Sequence, residues 1–375
     1  MFDDITRAVL AREEVARYLR GTGAEPDAHV RARIEAYLEE LRTTQRYSFY
    51  RALKHPLYPI LRKIERIHEN VRLAHAASAA GRVIYVSNHK SHIDYLVEPL
   101  VLDDTAVRPP VIAAGINLFG GPLGLLHKHV TGAIPIRRNA KDPAYLVTLK
   151  AYVAELLRDH DLLFYIEGGR SYSGELKSPK TGLLHAAVQS DVSPLAIVPM
   201  AIAYDLVLED HLLAHQSQKR RSRPFTRELA EMIRYAVGYE SRAFVTFGPA
   251  IDIRTCDPDS RRDILDLAHR VRDSIGRLQK VLPTALVAAA MRPSLTRREL
   301  EDRVGALIET LRAAGANLAV TNAARAVSEG SSLLAARHII VIERGARFRV
   351  RERTVLRYYA RTIQHLIAPR KHTAH

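Results

Sequence analysis

The spacing of apolar residues along the sequence divides the chain into three stretches. Residues 1–80 carry apolar side chains three and four positions apart among Arg and Glu, as at Ile34 and Leu38, which predicts a helical N-terminal region. Residues 81–256 instead show short apolar runs that alternate with amphipathic segments, and residues 257–375 return to helical spacing. We therefore expect a helical region at each end of the chain and a mixed domain between them.

The middle stretch has the pattern of an α/β domain. Six apolar runs predict buried strands: RVIYVS (82–87), PVIAAG (110–115), GAIPI (132–136), DLLFYI (161–166), LAIVPMAI (195–202) and RAFVTFG (242–248). Segments between them, such as Asp142 to His160, have apolar residues at helical spacing. This alternation predicts a largely parallel central sheet flanked by helices. Ligands of such sheets bind outside the carboxyl ends of the strands, so the residues that follow each run are the candidates for chemistry.

The C-terminal stretch ends in a predicted hairpin and helix. HIIVIERGARFRV (338–350) favours two strands that turn at Arg344-Gly345, and VLRYYARTIQHLI (355–367) has helical spacing. Two helices precede the hairpin, and five arginines lie between positions 344 and 353. The order predicts a small helical, winged-helix-like region.

Charge narrows the class of partner. The 375 residues include 56 Lys and Arg against 41 Asp and Glu, a formal net charge of +15. Such a chain should bind anions, which include nucleic acid, the surface of an anionic bilayer, and phosphorylated substrates or acidic carriers. The aromatic and basic segment 47–64 suits an interfacial membrane contact, or equally a helix pair packed on the core. Charge alone does not choose among these partners.

Composition excludes several classes of protein. A hydrophobic content of 47% without a long polar tract excludes a disordered chain, and the single cysteine, Cys256, excludes an intrachain disulfide or a multi-cysteine zinc site. No run reaches the roughly 18 to 20 apolar residues that a membrane-spanning helix needs. The opening residues are acidic and lack the apolar segment of a secretory signal. We therefore expect a cytoplasmic protein.

The first candidate for chemistry is SNHKSHIDYL, which follows the first strand. His89 and Asp94 cannot touch on one continuous helix, because each residue turns it by about 100°, but they can meet if His89 lies in a turn and Asp94 in the first turn of the next helix. Ser91 with an acid three residues later predicts a capping box and a helix that begins near His92. Asp94 would then fix the tautomer of His89 and leave its other nitrogen as a base. Alternatively, Asp94 only caps the helix.

A second candidate follows DLLFYI, at EGGRSYSGELKSPKTG. Gly168-Gly169 allows close backbone approach to a ligand, Arg170 offers a bidentate fork for phosphate or carboxylate, and Ser171 adds a hydroxyl. Arg137 and Arg138 follow another strand, GAIPI. An exposed glycine turn with solvated cations is the plainer interpretation of each alone. Together with the His/Asp pair, these strand ends predict a base beside an anion pocket.

These motifs together resemble the glycerolipid acyltransferases. HKSHID fits the H-x4-D block of that family, GAIPIRR resembles the second block, FYIEGGRS the third, and IVPMAI, with Pro199, the fourth, in the same order and at comparable spacing. Other segments resemble the bacterial membrane-bound glycerol-3-phosphate 1-O-acyltransferases and the dihydroxyacetone-phosphate acyltransferases: GINLFGGPLG (115–124), SGELKSPKTGLL (173–184), VTFGPAI (245–251) and RYYARTIQHL (357–366). The chain departs from the family in being shorter than typical bacterial members, and in having Ile134-Pro135 where aromatic residues are commoner.

The resemblance implies a reaction, residue roles and partners. His89 would be the general base for the acceptor hydroxyl, and Asp94 would orient it. The residues implied to hold glycerol phosphate are Arg138, Glu167, Gly168, Arg170 and Ser171, with Arg137 as a further candidate. A fatty acyl chain would pass from acyl-CoA or acyl carrier protein to the sn-1 hydroxyl of glycerol 3-phosphate, without a cofactor, a metal or a covalent enzyme intermediate. The protein would act as a peripheral enzyme on the cytoplasmic face of an anionic membrane.

Other functions stay open from the residues alone. An enzyme that acylates lysophosphatidate at its second position, or one that acylates dihydroxyacetone phosphate, would use the same motifs. A nucleic-acid-binding protein would use the basic segments 217–227 and 344–353, but no recognition motif accompanies them, so no nucleic-acid partner is expected. A metal-dependent hydrolase would need ligands beyond His89, His92 and Asp94, and none follows another strand at a clear spacing.

Overall fold

The computed structural model describes residues 2–21, 27–42, 64–116, 133–216 and 241–367. The first two ranges form three helices, α1 (Phe2–Ala11), α2 (Glu13–Gly21) and α3 (Asp27–Leu41). Their buried side chains, among them Val9, Val15 and Ile34, belong to the same hydrophobic cluster as one face of the central sheet. The helical prediction is therefore confirmed for these two ranges.

The central domain alternates strands and helices. It begins with β1 (Ile64–Glu69), α4 (Val71–Ala80), β2 (Arg82–Ser87), α5 (Asp94–Asp104), β3 (Val111–Gly115) and β4 (Ala133–Ile136). It continues with α6 (Pro143–Asp159), β5 (Leu162–Tyr165), α7 (Gly182–Val188), β6 (Leu195–Tyr204), α8 (Asp210–Gln216) and β7 (Ser241–Phe247). Strands β2 to β7 correspond to the six predicted strands. Helix α6 starts as predicted, because the Asp142 carboxylate accepts a hydrogen bond from the Ala144 amide at 2.9 Å and caps it.

Seven strands form one sheet in the order β1-β7-β6-β2-β5-β3-β4. Strands β6 and β7 run antiparallel, and the other neighbouring strands are parallel. The predicted fold class, a largely parallel central sheet flanked by helices, is confirmed. Since β2 is the middle strand, the residues after Ser87 emerge at the centre of the carboxyl edge, where ligands of such sheets bind.

Alternate residues of β2 supply the cores on the two faces of the sheet. Val83 and Tyr85 belong to one hydrophobic cluster, and Ile84 and Val86 belong to the other. All four side chains are fully buried. A strand covered on both faces has a continuous apolar sequence, which explains why RVIYVS could be identified from the sequence.

The structure differs from the sequence prediction at residues 64–69. This segment was expected to be helical but forms β1, an edge strand that pairs in parallel with β7 from Ile64 opposite Ser241 to Glu69 opposite Thr246. Its sequence, IERIHE, holds two isoleucines three residues apart among charged and polar residues, a spacing that also suits a helix. Charged side chains are tolerated in this strand because it lies at the edge of the sheet.

The C-terminal region combines helices with a small sheet. Its elements are α9 (Arg261–Leu278), α10 (Pro283–Ala290), β8 (Ser294–Thr296), α11 (Arg297–Ala313), α12 (Ala323–Ala336), β9 (Ile340–Glu343), β10 (Arg347–Val350), α13 (Arg353–Arg361) and α14 (Gln364–Ile367). Strands β9 and β10 form the hairpin predicted to turn at Arg344-Gly345, and β8 adds a third antiparallel strand. The order from α10 to β10 is helix, strand, helix, helix, hairpin, which fits the winged-helix-like prediction. Strand β8 was missed because three residues are too few to show a period.

Among the described residues, no helix combines the length and the apolar character needed to cross a lipid bilayer. The same ranges contain no group of three or more His, Cys, Asp or Glu side chains that is arranged to hold a metal ion.

Candidate active site

The turn after β2 brings His89 and Asp94 together. The Nδ1 atom of His89 lies 2.9 Å from Oδ2 of Asp94, the first residue of α5. The same oxygen accepts hydrogen bonds from the backbone amides of Lys90 at 2.6 Å and Ser91 at 2.9 Å. The predicted meeting of imidazole and carboxylate, one in a turn and the other in the first turn of a helix, is therefore present.

The start of this helix differs from the predicted one. Helix α5 begins at Asp94 rather than near His92, and its N-cap residue, Ile93, makes no side-chain cap bond. The Ser91 hydroxyl lies 2.8 and 2.9 Å from the two carboxylate oxygens of Glu209 and donates to that carboxylate instead of capping α5. The predicted capping box is therefore absent. Instead, the carboxylate of Asp94 accepts hydrogen bonds from the amides of Lys90 and Ser91, and these bonds fix the turn that carries the imidazole.

Asp94 is buried but ionised at neutral pH. Burial raises the pKa of its carboxyl group from 3.8 to about 6. The amides of Ser91 and Lys90 oppose that rise, as does the hydroxyl of Tyr204, which donates to Oδ1 at 2.7 Å. Above about pH 6 the carboxylate is therefore an anion that accepts the Nδ1 proton of His89.

His89 is held in its neutral form. Burial lowers the pKa of its imidazole well below the ordinary value, and the positive charges of Arg170, Arg138 and Lys177 lower it further. The ring stacks on Tyr165, with the two ring centres 4.1 Å apart. Because Nδ1 donates to the carboxylate, the lone pair of the neutral ring is on Nε2, where it can accept a proton.

An open pocket lies beside this imidazole, and the empty space of about 580 Å³ within it includes the solvent at its mouth. Small and apolar residues line part of it, among them Ala113, Ala114 and Gly115 of β3 and Phe164 of β5. Arg138 and the Gly168-Gly169 turn line another part. The small side chains leave room for an apolar chain next to the base, and Arg138 brings a cation to the same cavity.

Arg138 and Arg170 approach the glycine turn after β5. Gly168 has a φ of +65°, which favours glycine, and a Cβ atom on Gly169 would lie 3.2 Å from Nη1 of Arg138. The turn therefore lets the guanidinium lie directly against the backbone. Partial burial of its guanidinium, together with repulsion from Arg170, lowers the pKa of Arg138, although the residue as a whole is exposed. No carboxylate in the described part of the chain pairs with Arg138, so this cation is placed to bind an anion from outside.

Glu167 and Ser171 lie beside the base, but their polar atoms bond to the protein. The two carboxylate oxygens of Glu167 accept hydrogen bonds from the amides of His89 and Lys177, each at 3.0 Å. The amide of Ser171 donates to the carbonyl of His89 at 3.0 Å, and its hydroxyl donates to the carbonyl of Glu175 at 2.6 Å. In the structure both residues hold the base against the loop after β5, and their contact with phosphate stays a prediction.

Arg137, the further candidate for the anion pocket, does not line the cavity. Its Nε atom donates to Oε1 of Glu40 in α3 at 2.7 Å, and Nη2 donates to the other oxygen of that carboxylate. Its guanidinium lies 4.9 Å from the ring centre of Tyr37. Arg138 lies in the turn that begins just after β4, so Arg137 and its neighbour Arg138 serve different parts of the protein.

Two buried residues of this site were not predicted. Tyr204, the last residue of β6, donates to Asp94, and Glu209 accepts a hydrogen bond from the amide of His92 at 2.7 Å. The sequence did contain a signal for Tyr204, because this residue lies two positions beyond an apolar run that was identified as a strand. Glu209 gave no such signal, because it lies five residues beyond the strand end.

Two family models match consecutive parts of the chain. Residues 64–203 match the model described as Acyltransferase, and residues 208–374 match the model described as Glycerol-3-phosphate acyltransferase C-terminal region. The first match contains His89, Asp94, Arg138 and the glycine turn. The second contains Glu209 and the winged-helix-like region.

Curated relatives are similar to part of the chain. A glycerol-3-phosphate acyltransferase of Histophilus somni is 36% identical over 190 residues, which are 48% of this chain and 23% of the relative. One of Actinobacillus succinogenes is 32% identical over 237 residues, 60% of this chain and 29% of the relative. The chain therefore spans less than a third of the length of these relatives.

A solved structure also resembles the chain at low identity. It is the 1-acyl-sn-glycerophosphate (LPA) acyltransferase PlsC from Thermotoga maritima, 16% identical, with a TM-score of 0.36 over 73% of this chain and 96% of that chain. This likeness is too low to support the fold assignment, which depends instead on the strand order observed in the chain itself.

Proposed function

Because the chain belongs to the acyltransferase family, we propose that it moves a fatty acyl group from a thioester donor to the sn-1 hydroxyl of glycerol 3-phosphate. The donor is acyl-CoA or acyl carrier protein, and the reaction uses no other cofactor. The observation that carries this proposal is the His89 imidazole, oriented by Asp94, at a cavity that also contains Arg138 and an apolar wall. The names of the two curated relatives support the choice of acceptor.

In the proposed reaction His89 is the general base. Its Nε2 atom takes the proton of the acceptor hydroxyl as the oxygen attacks the thioester carbonyl carbon and forms the new C–O bond. The tetrahedral intermediate then collapses, the C–S bond breaks, and the imidazolium returns the proton to the leaving thiolate. The carboxylate of Asp94 stabilises the imidazolium charge between the two steps, and no covalent bond to the enzyme forms.

The cations around the base support a phosphorylated acceptor. A guanidinium such as that of Arg138 binds phosphate through charge-assisted hydrogen bonds. Before the acceptor binds, Arg170, Arg138 and Lys177 depress the pKa of His89. The negative charge of a bound phosphate would offset this repulsion and raise the pKa of the imidazole. Binding of the acceptor would thus make His89 a stronger base for the proton of the acceptor hydroxyl.

An acceptor panel tests this proposal. The purified protein is incubated with one long-chain acyl-CoA and with glycerol 3-phosphate, dihydroxyacetone phosphate or lysophosphatidate, and products are identified by mass. We expect acylated glycerol 3-phosphate as the main product. Transfer to lysophosphatidate alone would indicate acylation at the second position instead. Absence of transfer to every acceptor, with acyl carrier protein as well as CoA, would refute the proposal.

We also propose that the reaction takes place at the surface of an anionic bilayer. The arginines of the β9–β10 hairpin and the residues after it are all exposed: Arg344, Arg347, Arg349, Arg351 and Arg353. Each suitably placed cation adds about 1 kcal/mol of attraction to an anionic surface. Of the basic segments 47–64 and 217–227, only Ile64 lies within the described residues. Co-sedimentation with lipid vesicles tests this proposal. We expect the protein to bind anionic vesicles and to dissociate from them at high salt. Equal binding to neutral vesicles would contradict the proposed role of the anionic surface.

A further inference from the structure

The segment between β6 and α8 links the candidate active site with the C-terminal region. Residues 207–210, which run from this segment to the first residue of α8, include two adjacent acids, Glu209 and Asp210, whose side chains are both 0% exposed. A buried carboxylate is costly unless it is paired and hydrogen-bonded. The partners of the two acids therefore indicate what the segment holds together.

Glu209 joins two parts of the site. Its carboxylate accepts hydrogen bonds from the amide of His92 at 2.7 Å and from the hydroxyl of Ser91. Its Oε1 atom also lies 3.7 Å from Nη1 of Arg170, a side chain that is only 9% exposed. The carboxylate thus fixes the guanidinium of Arg170 relative to the turn that carries the base.

Two C-terminal side chains hold the same segment. The hydroxyl of Tyr359 in α13 accepts a hydrogen bond from the amide of Val207 at 3.1 Å and donates to Oδ2 of Asp210 at 2.7 Å. The guanidinium of Arg337, which follows α12, donates to the carbonyl of Leu208 at 3.2 Å and to Oδ1 of Asp210. These four bonds fix the backbone on both sides of the carboxylate that contacts Arg170.

We propose that Tyr359 is a positioning residue for the phosphate acceptor, acting through Glu209 on Arg170. The inference rests on the proposed function, in which Arg170, next to the Gly168-Gly169 turn that lines the cavity, is one of the cations around the base that attract the phosphate. Tyr359 does not line the cavity beside His89, so it affects the acceptor only through the segment it holds. The apolar wall for the acyl chain comes from β3 and β5, and none of the four bonds reaches those strands. Use of the acyl donor should therefore not change.

The neighbouring Tyr358 provides a matched control. Both tyrosines are 2% exposed on α13, with ring centres 5.4 Å apart, but the hydroxyl of Tyr358 has no hydrogen-bond partner among the described residues. In steady-state kinetics with both substrates varied, we expect Tyr359→Phe to raise the KM for glycerol 3-phosphate about tenfold, the effect of losing about one hydrogen bond. Its kcat and its KM for the acyl donor should stay within about threefold. Tyr358→Phe should leave all three parameters unchanged.

A double-mutant cycle with Glu209→Gln tests the route of the effect. Glutamine keeps the size of the side chain and removes its charge, so the acceptor KM should rise, and the double variant should be no worse than the more affected single variant. A fall in acceptor KM in Glu209→Gln would mean that the carboxylate competes with phosphate for Arg170, and would overturn the proposal. Equal kinetics of the two Phe variants, or a lower thermal midpoint without a change in KM, would also overturn it. If the wild-type protein acylates no acceptor, the proposed function itself fails, so the two failures are distinguishable.

Discussion

The base turn and the anion side of the candidate active site are built in different ways. The base turn is residues 89–94, and the hydrogen bonds within it join groups no more than five positions apart, although Tyr204 and Glu209 also bond to it from the end of β6 and beyond. The anion side combines Arg138 after β4, the Gly168-Gly169 turn after β5 and Glu209 after β6. The internal contacts of the base turn are specified by a short piece of sequence, whereas the anion side exists only after the sheet has brought separate strand ends together.

This difference separates the expected effects of mutation. The base turn is buried and supplies the group that moves the proton, so a change there should act on the chemical step. The anion side supplies charge through long side chains, so a change there should act on acceptor binding. The predictions below test that division.

The largest effect is expected for His89→Ala. Removal of the general base should lower kcat by about a thousandfold, while the KM values for both substrates change little. Radiolabelled acyl transfer measures the rate. His185→Ala is the control, since His185 is a half-buried histidine outside the site whose Nε2 lies 2.9 Å from the carbonyl of Pro258. If the His89 variant keeps its fold and retains wild-type activity, the base assignment fails.

A smaller effect is expected for Arg138→Ala. Loss of one charge-assisted contact should lower kcat/KM for glycerol 3-phosphate by about thirtyfold, mainly through KM, and leave the KM of the acyl donor unchanged. Initial rates over a range of acceptor concentrations measure this change. An unchanged acceptor KM would contradict the assignment of Arg138 to the anion side.

Arg137→Ala is the matched control for that variant. Arg137 pairs with Glu40 at the surface, and its side chain is 43% exposed. The substitution should leave the kinetics within about twofold and lower the free energy of unfolding by no more than about 1 kcal/mol. Equal kinetic losses in both variants would contradict the different orientations of the two arginines.

The difference between the base turn and the anion side also explains which features could be predicted from the sequence. Strands β2 to β7 and the His89–Asp94 contact depend on continuous apolar runs and on five-residue spacing, both visible in the chain. The choice between Arg137 and Arg138 depends on Glu40, which is 97 positions away from Arg137. Glu209 reaches Ser91 across 118 positions. Such contacts are created by the order of the strands, which apolar patterning does not specify.

The last prediction concerns the pH dependence of the rate, and it tests the base turn without removing a reacting group. The pKa of Asp94 is raised to about 6, so as the pH falls through that value the carboxylate gains a proton and can no longer accept the Nδ1 proton of His89. We expect kcat/KM to fall about tenfold per pH unit below about pH 6.

Tyr204→Phe should shift the pH range in which kcat/KM falls, which is the acidic limb of the pH profile. The hydroxyl of Tyr204 donates to Asp94 and lowers the pKa of the carboxyl, together with the amides of Ser91 and Lys90 and the charge of Lys90. Its removal disfavours the carboxylate, so the limb should shift to higher pH, by about half a unit. Tyr358→Phe, which removes a hydroxyl without a partner among the described residues, should leave the profile in place. A shift to lower pH in Tyr204→Phe would mean that this hydroxyl does not stabilise the ionised carboxylate, and the base turn would then depend on its local amide contacts alone.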